Sequence, residues 1–164
     1  MRNTIFTLLL MGLLIGSCNK SQSPNPGGSW TFKGVTYVAR YASANSSSAI
    51  LTATDSVYNG VKGSVNIVFF NVLPAGSSSY TVNNTYTVVK GIYPSKPDEV
   101  AIFSYIGPSQ QGIMYQSTGG NGVQTVSLSI SNGKMSLTAS GIELSDTTNP
   151  SDSGALTFTI NQLQ

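Results

Sequence analysis

The chain has no histidine, a single cysteine and few charges: 8 Lys or Arg and 6 Asp or Glu in 164 residues. Each shortage excludes a chemistry. Without histidine there is no imidazole base, no Ser-His-Asp triad and no His-ligated zinc. With Cys18 alone, an intrachain disulfide and a thiolate zinc cluster are excluded as well. The only carboxylates are Asp55, Asp98, Glu99, Glu143, Asp146 and Asp152, so any catalysis must draw on these, a Lys, a Tyr or a hydroxyl. A formal net charge of +2 supplies no basic patch to neutralise phosphates, which removes nucleic acid as a partner. No residue pattern calls for a cofactor, and the inventory reads as that of a non-enzymatic protein.

What is present is hydrophobic content of 40%, too much for a disordered and highly charged chain. About a quarter of the residues are Ser or Thr, and their alternation with apolar residues suggests strands with one polar face.

The first residues read as a secretory signal. Arg2 gives a positive start, and residues 5–15 form an apolar stretch broken by Thr7 and Gly12. A bilayer span needs about 20 apolar residues, so this run is too short to cross. It ends in Ile15-Gly16-Ser17-Cys18. That tetrad resembles the lipobox of bacterial lipoproteins: a branched apolar residue, two small ones, then the cysteine that is lipidated. The resemblance implies cleavage between Ser17 and Cys18, acyl chains such as palmitate on Cys18, and membrane attachment without a spanning segment. Two or more acyl chains anchor stably, at ~0.8 kcal/mol per buried CH₂. Cys18 is followed by Asn19 rather than Asp, which by the lipoprotein sorting rule implies the outer membrane. Lys20-Ser21-Gln22 carries no acidic cluster of the surface-export kind, favouring the periplasmic face over the cell surface. Residues 19–29 offer nothing apolar to bury, and their Pro and Gly oppose regular structure. The expected organisation is therefore a signal peptide over 1–17, a lipidated Cys18 with a tether to 28, and one domain over 29–164.

That domain reads as strands and turns. Asn132-Gly133 is a strong signal for a type I′ hairpin, which needs positive φ at both positions. Pairing Ser131 with Lys134 sets Ile130 opposite Met135, Leu128 opposite Leu137 and Val126 opposite Ala139. The other face then carries Ser129 with Ser136, Ser127 with Thr138 and Thr125 with Ser140. A second hairpin at Lys33-Gly34 pairs Phe32 with Val35 and Trp30 with Tyr37, leaving Thr31 and Thr36 outward. Further strands are expected over 49–55, 64–72, 99–105, 113–116 and 155–160. The run Val68-Phe69-Phe70 breaks alternation, so its strand is covered on both faces or bulged. A turn is also suggested at Asn83-Asn84. No window shows a helical stripe. The fold class is all-β: an antiparallel β-sandwich, with a calycin-like β-barrel as the alternative.

The lipobox, the Gly-rich tether, the run from Trp30 to Tyr37, the Ser79-Tyr80-Thr81-Val82 segment and the Gly-rich stretch at 117–122 together resemble the small Bacteroidota lipoproteins of uncharacterised function. The resemblance implies a β-sandwich or calycin-like barrel on a lipid anchor, and it carries no catalytic residues.

Several residues are candidates for a site. Asp146, Asn149 and Asp152 supply oxygen donors that could hold calcium, although Asx-turns use the same residues. Glu143 and Asp146 could approach as the two carboxylates of a glycan hydrolase. Asp98 and Glu99, as neighbours in a strand, point to opposite faces and cannot pair. Ser56 and Thr147, each following an Asp, resemble the O-glycosylation motif of exported Bacteroidota proteins. Tyr58 and Tyr93 adjoin turn residues, where an aromatic face could meet a sugar or a protein. Three functions follow: a non-catalytic envelope module with a protein or glycan partner, a carrier of a small apolar ligand in a barrel cavity, and a carboxylate-dependent hydrolase.

Overall fold

A computed structural model of the protein describes residues 27–55, 62–76, 80–107, 112–120 and 122–162. Cys18, the signal segment, most of the tether, Ser56 and Tyr58 lie outside the described residues. Among those described there is no helix, hence none long and apolar enough to cross a membrane. The chain is all-β. Its strands are β1 (Gly28–Phe32), β2 (Val35–Val38), β3 (Tyr41–Asn45), β4 (Ile50–Thr54), β5 (Gly63–Phe69), β6 (Val82–Val88), β7 (Glu99–Ile106), β8 (Ile113–Ser117), β9 (Thr125–Ser131), β10 (Lys134–Asp146) and β11 (Ser153–Asn161).

Both expected hairpins form. Asn132 and Gly133 have φ of 52° and 73°, and Ser131 pairs with Lys134, Ile130 with Met135, Leu128 with Leu137 and Ser127 with Thr138. Leu128, Ile130 and Leu137 are buried while Ser127 and Thr138 face solvent. Lys33 and Gly34 likewise take positive φ, and Trp30 pairs with Tyr37 across the turn, their rings stacked at 5.1 Å. β5 is buried along all seven residues, which explains the broken alternation at Val68-Phe69. The expected turn at Asn83-Asn84 is absent: both residues lie inside β6, paired with Ser129 and Leu128 of β9. β1 starts at Gly28 rather than Ser29, and Gly27 already donates its N–H to Ala39 O at 2.7 Å.

The strand order is β2-β1-β11-β10-β9-β6-β7-β5-β4-β3. Every pairing is antiparallel except that of β6 with β7, a parallel contact of two residue pairs. The chain between these two strands carries Pro94 and Pro97, which cannot donate to a ladder. β8 pairs with both β10 and β7, so β6, β7, β8, β10 and β9 close a five-stranded barrel, with the remaining strands extending outward from β10 and β7. The two ends of the strand order meet at one corner. There Ala39 N–H bonds to Gly28 O and Arg40 N–H to Thr54 O.

The inward side chains form a single apolar cluster that includes Trp30, Leu51, Ile67, Ile102, Leu137 and Leu156. Burying one Leu or Ile side chain of this kind favours folding by about 1.5–3 kcal/mol. Register fixes which face this cluster occupies, because a slip of one residue would turn each strand's apolar set into water.

Candidate functional site

The acidic segment at the end of β10 is organised by strand alternation. Ile142, Leu144 and Asp146 are buried on one face of β10, whereas Glu143 is exposed on the other. The two carboxylates of the expected hydrolase pair thus leave opposite faces of one strand and do not converge. Asp146 Oδ1 accepts from Thr148 N–H at 2.7 Å and from Thr148 Oγ1 at 2.9 Å. Those bonds stabilise the anion and hold its pKa below the usual carboxylate range. Asn149 Oδ1 accepts from the Ser151 hydroxyl at 2.7 Å. Asp152 has different partners, described next. The three residues offered for calcium are therefore each engaged in turn or side-chain bonds, and no group of three or more His, Cys, Asp or Glu is gathered among the described residues.

Asp152 sits in a cluster that the sequence reading missed. Its Oδ1 accepts from Lys33 Nζ, and its Oδ2 accepts from the Tyr115 hydroxyl at 2.8 Å. Lys33 Nζ also donates to Tyr115 Oη at 3.2 Å and lies 5.0 Å from the Tyr115 ring centroid. Below them, Phe32 meets Tyr115 edge to face at 4.9 Å. The Lys33 ammonium and the Tyr115 hydroxyl hold the Asp152 carboxyl below its usual pKa. The same carboxylate raises Lys33, with Tyr115 adding to it. Burial pushes the Tyr115 phenol up, and its bond to Asp152 pushes further. All three groups stay in their ordinary charge states at neutral pH, so the cluster acts as a clasp between the β1–β2 turn, β8 and the β10–β11 loop.

Beside this loop an open cleft of about 430 Å³ is lined by Thr118, Gly120, Glu143, Pro150, Ser153, Gly154 and Ala155. Glu143 is its one charged lining residue, and Asp146 does not reach it. Glu99, the other expected non-pair, caps a turn: Oε2 accepts from Ser95 N–H, Ser95 Oγ and Lys96 N–H. Its pKa is lowered chiefly by the Ser95 bonds.

A further organised surface lies on the outer face of β1, β11, β10, β9 and β6. Strand pairing aligns Ser29, Thr159, Thr138, Ser127 and Thr85 in one row across five strands. A second row joins Asn161, Ser136, Ser129 and Asn83. Adjacent strands are spaced about 4.8 Å apart and same-face residues about 6.7 Å along each strand, so these side chains form a regular grid. Two open troughs, of about 300 and 550 Å³, share Ser127 and Thr138, and no charged residue lines either. The nearest cation on this face of β10, Lys134, stands at the hairpin end beside Ser131.

No protein-family model, curated protein or solved structure matches the chain.

The remaining expectations fall at particular places. Thr147 is exposed just past β10, with its N–H and hydroxyl both donating to Met114 O. Tyr93 is 77% exposed, in keeping with a place at a turn. The three depressions described above are open surface troughs, and the inward side chains form the apolar cluster. Strand patterning around Asn132-Gly133 signalled half of the hydroxyl grid. The other half needed the order β1-β11-β10-β9-β6, which brings together segments far apart in the chain.

Proposed function

We propose that the protein is a lipid-anchored envelope lipoprotein whose all-β domain binds or spaces other material without catalysis. In this reading residues 1–17 are removed, Cys18 carries the acyl chains, and the domain faces the periplasm from the outer membrane. The domain is read as an antiparallel β-sandwich whose layers join through the five-stranded ring. The likeness to small Bacteroidota lipoproteins belongs to the same proposal.

One observation carries the functional part: among the described residues, two open troughs on the outer face of β6, β9, β10 and β11 are lined by uncharged side chains, mostly hydroxyl and amide. The residues lining those troughs include no carboxylate, Lys or Tyr, which suits contact rather than turnover. Meanwhile Asp146, Asp152 and Glu99 are committed to turn and clasp bonds.

Radiolabelled palmitate and membrane fractionation test the anchor in cells producing the full chain or its Cys18→Ser variant. The expected result is label and membrane association for the full chain, with both lost in the variant. Unlabelled protein released into the soluble fraction by both forms would overturn the reading.

A further inference from the structure

We propose that one rim of the domain, where β6, β9, β10 and β11 have their ends and the chain enters β1, lies against the headgroup surface of the bilayer that holds the anchor. The inference deepens the lipid-anchored reading given above and rests on it.

Strand register defines the rim. Val82 at the start of β6 pairs with Ile130 of β9, and Ile130 pairs with Met135 across the Asn132-Gly133 turn. Met135 exchanges bonds with Gln162, donating to its Oε1 at 3.1 Å and accepting from its N–H at 2.8 Å. Next to Gln162, Asn161 donates to Gly27 O at 2.7 Å. These strand ends and the chain entry therefore stand side by side. The loop after β5 reaches the same place, since Gly76 lies directly against the Ile130 side chain.

Chain length decides which end of the domain is held near lipid. Residues 18–27 span at most about 30 Å, at ~3.3–3.6 Å per residue, and Gly27 is fixed in the sheet by its bonds to Ala39 and Asn161. β11 returns to the rim over 9 residues, about 30 Å at ~3.3 Å per residue, so the loop before it, with Asp152, stands that much farther off. The anchor keeps the rim concentrated beside the bilayer, and weak contacts then suffice.

The rim's side chains suit that surface. Tyr80, two residues before β6, and Val72, in the loop after β5, are each 68% exposed. A tyrosine is favoured at headgroup level, where its ring meets apolar material and its hydroxyl stays wet. Lys134 is exposed beside the hairpin turn, and an anionic headgroup surface attracts such a cation. Glu143, Asp146 and Asp152 lie toward the far end of β10 and the loop beyond it. Asp55, at the neighbouring corner, is accompanied by Arg40 and Lys62. Tyr93 and Val123 are exposed as well, so it is nearness to the chain entry that singles out Tyr80 and Val72.

Cys18 is the chain's only cysteine, so an added thiol is the one left free once Cys18 is acylated. Acylated Ser131→Cys and Ser151→Cys proteins, both altered at exposed positions, carry an environment-sensitive fluorophore at the rim and at the far loop. They are reconstituted into vesicles of phosphatidylethanolamine and phosphatidylglycerol that contain a headgroup spin-labelled lipid. The expected result is strong quenching of the label at the rim and little at the far loop. Adding Tyr80→Ser and Lys134→Ser to the Ser131→Cys protein, with circular dichroism unchanged, should shift the rim away from lipid by about fivefold. Four results would each overturn the proposal. They are equal quenching of the two labels, no quenching at the rim of membrane-bound protein, unchanged quenching in the folded triple variant, or a rim label shielded from aqueous iodide yet unquenched by lipid. The last would place a second copy or another protein on the rim. Protein that takes up no palmitate label and stays out of the vesicles would instead remove the anchor, and this orientation with it.

Discussion

The Tyr115 hydroxyl donates to Asp152 Oδ2 over 2.8 Å, tying β8 to the loop that leads into β11. The ring of the same tyrosine is buried against Phe32, so one side chain serves the core and the clasp. Tyr115→Phe keeps the ring and removes the bond, and it should lower stability by about 1 kcal/mol. Tyr115→Ala also leaves a cavity and should cost about 3–5 kcal/mol. Urea unfolding of both variants checks the ordering; equal losses would show that the hydroxyl contributes most of what the side chain does.

Acid should loosen the fold through Asp152 and Asp146. Both have folded pKa values below the ordinary carboxylate value, so the unfolded chain takes up protons first as pH falls. Between the two pKa values the unfolded state binds more protons, and stability there rises with pH. Their contribution is complete above about pH 4–5 and disappears as pH falls through the depressed values. Melting temperature measured from pH 7 down to pH 2 should drop on the acid side, and Asp152→Asn should flatten that drop while lowering the neutral plateau slightly. A variant with an unchanged acid limb would show that Asp152 has no part in it.

Leu137 and Thr138 are neighbours with opposite consequences. Leu137 is fully buried, and Leu137→Ala should cost about 2–5 kcal/mol through lost burial and a cavity. Thr138 faces solvent beside Ser127, and Thr138→Ala should stay within about 0.5 kcal/mol. Denaturant midpoints of the two variants test the assigned register, since a slip of one residue would exchange their effects.

Gly28 sits where the ladder leaves no room for a side chain. Its φ is 96°, and a Cβ would fall 1.8 Å from Thr159 O. Neither the backbone angle nor the β11 carbonyl can yield cheaply, so Gly28→Ala should destabilise by more than about 1 kcal/mol. Gly133→Ala, at a turn where an added Cβ meets nothing within 4 Å, should cost less. Parallel thermal melts compare them.

Much of this fold was legible wherever turn chemistry and alternation agreed. Asn132-Gly133 and Lys33-Gly34 each came with flanking residues that sort cleanly onto two faces, so turn and register could be read together. β6 failed because Asn83-Asn84 carries turn chemistry, and only the neighbouring β9 ladder holds it extended. β3 was missed because its inward residues, Ala42 and Ala44, are too small to signal a core face. The clasp was invisible for another reason: Lys33 is separated from Tyr115 by 82 positions and from Asp152 by 119. Nothing local distinguishes those three from ordinary loop and strand residues. The hydroxyl grid was half legible, as polar alternation without the strand order that turns it into rows.

The entry of the chain into the sheet has a mechanical meaning. Gly27 is gripped from both sides, donating to Ala39 O and accepting from Asn161 N–H, each at 2.7 Å, and β1 runs on between β2 and β11. If Cys18 is anchored as proposed, tension reaching Gly27 would pull β1 along its own axis. Both ladders would then be loaded in shear, with their hydrogen bonds resisting together instead of opening one after another. If the chain is anchored as proposed, a domain held this way would take up a pull from the membrane at the point where β1 enters the sheet.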